Sequence, residues 1–159
     1  MAKMLVCYYS RTKHTQHMAE AIADGARQVP GVTVDVKPVS KTQAKELLEY
    51  QGIILGSPTY YGSMAADLKR LIDDTVAFHG QLDGRVGGAF ASSANIGGGN
   101  ETTILDILNA MLIHGMVVKG IFTGDHYGPV AIGDVDARAR TNCQDYGKAL
   151  AELATKLHG

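Results

Sequence analysis

The sequence predicts a three-layer α/β fold, a doubly wound sheet of five parallel strands in the order 2-1-3-4-5. Short apolar runs alternate with segments of helical periodicity, the pattern of repeated strand–helix units. The runs Met4–Tyr9 and Gly52–Gly56 carry no regular polar face, as expected of parallel strands covered by helices on both sides. Glycine is the third observation. Of 19 glycines in 159 residues, 14 fall between Gly56 and Gly133. A typical chain holds about 7% glycine. The excess has no Gly-X-Y period, so it reads as loops needing unusual backbone or close ligand approach.

Met4–Tyr9 is the first strand. His14–Gln28 follows as a helix, with Met18, Ile22, Ala26 and Val29 on one face, and Pro30-Gly31 ends it. Val32–Val39 alternates Val32, Val34 and Val36 and forms the second strand. Ala44–Tyr50 is a short helix at most. Gly52–Gly56 carries Ile53, Ile54 and Leu55, the third strand. Met64–Ala77 places Met64, Leu68, Leu71 and Ile72 on one helical face. Arg85–Ala91 is the fourth strand, Glu101–His114 the next helix and Met116–Phe122 the fifth strand. Ala137–Leu157 spaces Ala139, Cys143, Tyr146, Leu150, Leu153 and Leu157 by threes and fours, the last helix. Right-handed crossovers select the strand order and put a ligand at the carboxyl ends of strands 1 and 3. No repeat or linker divides the chain, so residues 1–159 read as one domain.

Composition excludes several classes. Apolar residues make up 45% and charged residues 19%, unlike a disordered chain. Lys and Arg total 15 against 16 Asp and Glu, leaving no basic excess for nucleic acid. No apolar run reaches the length of a membrane span, so no membrane association is expected. Cys7 and Cys143 suit a reducing compartment, and the cytoplasm is the expected location. His14 and His17 form a close pair without a third ligand in register, so no metal is expected.

The strand ends carry the chemistry. After strand 1, Ser10, Arg11, Thr12, Lys13, His14 and Thr15 run straight into a helix. Hydroxyls, free N–H groups and two cations there suit an anion. The same residues also read as an N-cap with solvated basic side chains. After strand 3, Gly56 and Gly62 bracket Ser57, Pro58, Thr59, Tyr60 and Tyr61. Tyrosine rings flank a planar ligand well, though such a turn also packs tyrosines on the body of a domain. After strand 4 come Ser92, Ser93, Ala94, Asn95, Ile96 and the glycines Gly97, Gly98 and Gly99. A flexible linker is the plainer reading, but it would sit between a core strand and its crossover helix. After strand 5, His126 is a candidate to hydrogen-bond an electron acceptor or to donate a proton; a lone loop histidine is also commonly just solvated.

Residues 10–15, 57–63 and 91–100 contain no Asp or Glu, although the chain holds 16 acids. Three acid-free loops at one sheet edge suggest an anionic ligand. A phosphate on the first loop and a flat ring between the other two describe flavin mononucleotide, FMN. A phospho-receiver is excluded, because its aspartate positions hold Gly56-Ser57 and Ser10-Arg11.

The loop series resembles the flavodoxin-like FMN proteins, and within them the tryptophan-repressor-binding-protein (WrbA) family of NAD(P)H:quinone oxidoreductases, in a shortened form. Tyr8 to His14, Gly56 to Ala66, Gly98 to Thr103, His114-Gly115-Met116 and Tyr127-Gly128 carry the resemblance over nearly the whole chain. It implies a flavodoxin-like fold, bound FMN, NAD(P)H as co-substrate and a quinone as acceptor, in a homo-oligomer whose subunits share the pocket. Four features depart from the family, one of them a glycine loop shorter by one residue. Lys13 stands where a small residue, commonly glycine, is usual. Tyr60 replaces an arginine. The chain after strand 5 is shorter. The alternative is a flavodoxin-type carrier that docks on redox partner proteins. Carriers of that kind are strongly acidic, whereas this chain has a net charge of −1. Nearby carboxylates disfavour an anionic reduced flavin, so their absence from these loops favours two-electron chemistry.

Overall fold

The computed structural model describes every residue from Met1 to Gly159. Its strands are β1 (Ala2–Tyr8), β2 (Val32–Pro38), β3 (Gly52–Pro58), β4 (Val86–Ser93), β5 (Val117–Val118) and β6 (Val130–Ile132). They form one sheet in the order β2-β1-β3-β4-β5, with β6 also paired to β4. All pairings are parallel. The order read from the sequence is the order observed.

Two helices cover each face: α1 (His14–Ala26) and α4 (Ala137–His158) on one, α2 (Ala66–Asp74) and α3 (Asn100–Ile113) on the other. Strand side chains alternate between the two cores, as the pleat requires. Met4, Val6, Ile54 and Phe90 pack with Met18, Ile22, Tyr146 and Leu150. Leu5, Cys7, Ile53 and Leu55 pack with Leu68, Leu71, Ile104 and Met111. Ala44–Glu49 is a 3₁₀ segment, in keeping with a short helix at most. No helix is long and apolar enough to cross a membrane.

The fifth strand position departs from the continuous run expected over Met116–Phe122. Only Val117 and Val118 pair there, opposite Val86 and Gly87. The chain then leaves the sheet and returns at Val130–Ile132, opposite Ala91, Ser92 and Ser93. One strand position is thus built in two pieces around an excursion over residues 119–129. Gly128 lets the backbone return flush to the sheet: its φ is +145°, and a Cβ there would lie 2.0 Å from the Ala89 carbonyl oxygen. Asp125 closes the excursion, accepting from the Val130 N–H and from Arg138, both at 2.9 Å. The interruption leaves the Ala89 N–H without a strand partner. The buried Tyr146 hydroxyl fills the gap, accepting from it at 3.0 Å, and burial pushes that phenol up to about 12.

Candidate functional site

The site begins where β1 ends. The Tyr9 N–H donates to the Gly56 carbonyl at 3.0 Å, the last ladder bond between the two strands. From Ser10 to Gln16, no backbone N–H finds an acceptor within the protein. The first turn of α1 holds no acid and no side-chain cap. The Ser10 hydroxyl is buried without a partner. A buried hydroxyl normally finds one, so this one is open to a partner from outside the chain. Together these groups form an anion cradle. Lys13 closes it at φ 72, in the left-handed region. Glycine adopts that backbone without the strain a lysine side chain brings. Arg11, Thr12 and Lys13 are exposed, His14 is half-buried and Thr15 is buried. Thr15 Oγ1 and Ser92 Oγ meet at 2.9 Å, tying the cradle to the end of β4.

The second loop is a tight turn. Tyr60 and Ser63 exchange backbone hydrogen bonds of 2.9 and 3.1 Å. Between them, Tyr61 and Gly62 take φ values of 51° and 79°. Two consecutive positive φ values are the type I′ pattern, and a tyrosine in the left-handed region costs roughly 1 kcal/mol. Neighbours hold the strain in place. Thr102 Oγ1 donates toward the Gly62 carbonyl at 2.6 Å, and the Thr59 N–H donates to the Ser92 carbonyl at 2.7 Å. The Ser57 hydroxyl accepts from the Ala65 N–H at 2.8 Å, so α2 starts at Ala66 and not at Met64.

This turn separates the two tyrosines. Tyr61 is wholly exposed. Tyr60 is braced edge-on by Tyr9, with ring centroids 6.2 Å apart. Burial raises the Tyr60 phenol above its usual range, Tyr9 beside it adds to the rise, and the Arg11 guanidinium opposes it.

The third loop follows β4. Ser93 Oγ donates to the Asn95 carbonyl at 3.0 Å and accepts from Asn100 Nδ2 at 3.1 Å. Ser92 and Ser93 are therefore occupied in holding loops in position. Ala94, Asn95, Gly97 and Gly98 are exposed. Gly99 presses this loop against the second one, near Gly62.

The structure thus brings residues 10–15, 58–62 and 92–99 to one sheet edge. His126 stands apart, on the excursion in the fifth strand. It is exposed, and its Nδ1 lies 2.8 Å from the Ile121 carbonyl of its own loop. Its neighbour Asp125 lines a groove with Ile96, Gly97 and Asn100. Sequence reasoning missed Tyr9 as the brace of Tyr60, and Asn100, Thr102 and Thr103 as ties between loops. Hydroxyls in the first turn of a helix that follows a glycine run are the signal for such ties.

The profile of the flavodoxin family matches residues 6–112, most of the chain and all three of these loops in full. The chain belongs to the flavodoxin family. A relative described as flavodoxin, from Aquifex aeolicus, is 36% identical over 160 aligned positions, covering 96% of this chain and 86% of its own. One described as NAD(P)H dehydrogenase (quinone), from Nitrobacter winogradskyi, is 36% identical over 200 positions, covering both chains fully. That alignment is longer than the 159-residue flavodoxin-family chain, so segments of the relative have no counterpart in it. Among solved structures, a WrbA-like flavodoxin from Agrobacterium tumefaciens superposes with a TM-score of 0.82 at 24% identity, covering 99% of each chain. A flavodoxin from the domain Archaea gives 0.81 at 27% identity, covering 96% of this chain and 99% of its own.

Proposed function

We propose that this flavodoxin-family chain binds FMN and uses it to pass electrons from NAD(P)H to a quinone or similar small acceptor. The observation that carries the reading is the buried, unpartnered Ser10 hydroxyl at the mouth of seven free backbone N–H groups. A phosphate supplies the acceptors these donors lack. The 36% identical quinone dehydrogenase from Nitrobacter winogradskyi supports the enzyme assignment.

FMN, when bound, supplies the hydride and electron chemistry, while the protein supplies position and electrostatics. Ser10, Thr12, His14 and Thr15 surround the phosphate, with Arg11 and Lys13 balancing its charge. Pro58, Thr59, Tyr60, Tyr61 and Gly62 frame one side of the ring. Ala94, Asn95, Gly97 and Gly98 offer backbone to its other edge, held by Ser92 and Ser93. No carboxylate on these loops opposes negative charge on the ring, which suits two-electron reduction. His126 is assigned to the acceptor side. Its Nδ1–H serves Ile121, so the neutral ring offers Nε2 as an acceptor and donates there only when protonated. The free thiols of Cys7 and Cys143 suit a cytoplasmic protein.

A second reading is a carrier that docks on a redox protein. The fully exposed Tyr61 and Ile96 beside the ring loops favour it, as does the 36% identical flavodoxin relative. NADH and NADPH oxidation by the FMN-loaded protein with benzoquinone decides between them. Turnover supports the enzyme. No turnover, with fast electron exchange with a flavoprotein reductase, supports the carrier.

A further inference from the structure

A second cleft adjoins the site on the side away from the glycine loop. It has a volume of about 540 Å³ and lies between the ends of β1 and β2 and the outer face of α2. Tyr9 and Ser10 form the wall it shares with the phosphate cradle. Its far wall is Pro38, the last residue of β2, with Val39 and Ser40 beyond it. A site of this size takes a nucleoside or a small nucleotide.

The floor of the cleft is one face of α2. Asp67, Arg70, Leu71 and Asp74 recur at helical spacing and all line it. Leu71 is buried, and the three charged side chains stand around it. Asp67, Arg70 and Asp74 take part in no ion pair and no side-chain hydrogen bond. On the same helix, Lys69 and Asp73 pair at 2.5 Å. The exposed charges facing the cleft are thus unpaired within the chain, while Lys69 and Asp73 are matched.

We infer that this cleft receives the adenosine diphosphate half of NADH. The inference rests on the reading of NAD(P)H as electron donor. Arg70 supplies the fork that pairs with a pyrophosphate oxygen. Asp67 and Asp74 accept from ribose hydroxyls, the role acids play beside nucleotides in doubly wound sheets. Tyr9 and Pro38 offer flat apolar surface to a purine. The cleft opens beside both the phosphate cradle and the start of α2, which directly follows the ring loop. A dinucleotide seated in it therefore leads toward the flavin loops. An acid bonded to the adenosine ribose hydroxyls leaves no place for a 2′-phosphate there, so NADH is the preferred donor over NADPH.

ADP-ribose, which lacks the nicotinamide, tests the cleft by calorimetry on the FMN-loaded protein. Saturable binding is expected, weakened about tenfold or more in Arg70→Ala. Ser40→Trp, which fills the cleft from the opposite wall, abolishes it. Melting curves confirm that both variants fold. Arg70→Ala also raises the KM for NADH about tenfold relative to its effect on reduced nicotinamide riboside, a donor without the adenosine half. Asp67→Asn with Asp74→Asn narrows the preference for NADH. No ADP-ribose binding, or binding unchanged in both Arg70→Ala and Ser40→Trp, overturns the inference. Oxidation of reduced nicotinamide riboside in that event leaves the proposed enzyme standing. Conversely, Arg70-dependent ADP-ribose binding without any NAD(P)H oxidation removes the proposed enzyme and keeps the cleft as a nucleotide site.

Discussion

A Cβ on Gly99 would lie 2.7 Å from the Cα of Gly62. The glycine loop and the tyrosine turn are thus in backbone contact, at the point where the two sides of a flavin ring would be gripped. Gly99 also holds a φ of +102°, which side-chain-bearing residues rarely adopt. Gly99→Ala is expected to destabilise the protein by about 2 kcal/mol and to weaken FMN binding about tenfold or more. Gly97 has a positive φ but nothing within 4 Å of a built Cβ. Gly97→Ala therefore has the smaller effect on both. Urea unfolding and FMN fluorescence titration of the two variants check the contrast.

Ser10→Ala separates stability from binding. The hydroxyl is buried without a partner, so removing it leaves the FMN-free protein as stable or slightly more stable. The phosphate loses a charge-assisted hydrogen bond, so FMN affinity falls about tenfold to a hundredfold. Thermal melts without FMN and titrations with it read the two effects in opposite directions.

Lys13→Gly relieves a left-handed lysine at φ 72. The FMN-free protein gains up to about 1 kcal/mol. FMN binding weakens and becomes less sensitive to salt, because a cation beside the phosphate is gone. Affinity measured at low and high salt tests this; an unchanged salt dependence places Lys13 outside the phosphate's field.

His114 gives the fold a pH dependence of known sign. The Thr75 hydroxyl donates to the Ile72 carbonyl at 2.5 Å, so the 2.7 Å contact with His114 Nε2 has the histidine as donor. The Nδ1 lone pair is left buried and unpartnered. Burial, with His79 nearby, lowers the imidazole below its usual value of 6.5. The unfolded chain then binds the proton first. This stability is present above the unfolded value and is lost as pH falls through it toward the lower folded value. Melting temperature should drop as pH falls below the ordinary imidazole value of 6.5, and His114→Gln should flatten that slope.

The parts legible in the sequence are those set by local pattern. Ile53-Ile54-Leu55 marks a strand buried on both faces, and Val32, Val34 and Val36 mark an alternating one; both are in the sheet as read. The acid-free cradle was legible because Ser10 to Thr15 are consecutive. Contacts between distant segments were not. Val130–Ile132 is too short a run, directly behind Pro129, to announce a strand, and the excursion before it is fixed by Asp125, Gly128 and Tyr146 acting together. The meeting of Gly62 and Gly99 depends on two loops 37 residues apart in sequence. Asp67, Arg70 and Asp74 look like an ordinary solvated helix face until the fold sets the end of β2 across the cleft from them.

FMN titrated into the flavin-free protein, followed by flavin fluorescence, tests the cradle and the ring loops most directly. Saturable quenching is predicted, shifted to at least about tenfold higher FMN concentration in Ser10→Ala. Fluorescence that stays at the level of free FMN throughout, in the presence of folded protein, contradicts the account.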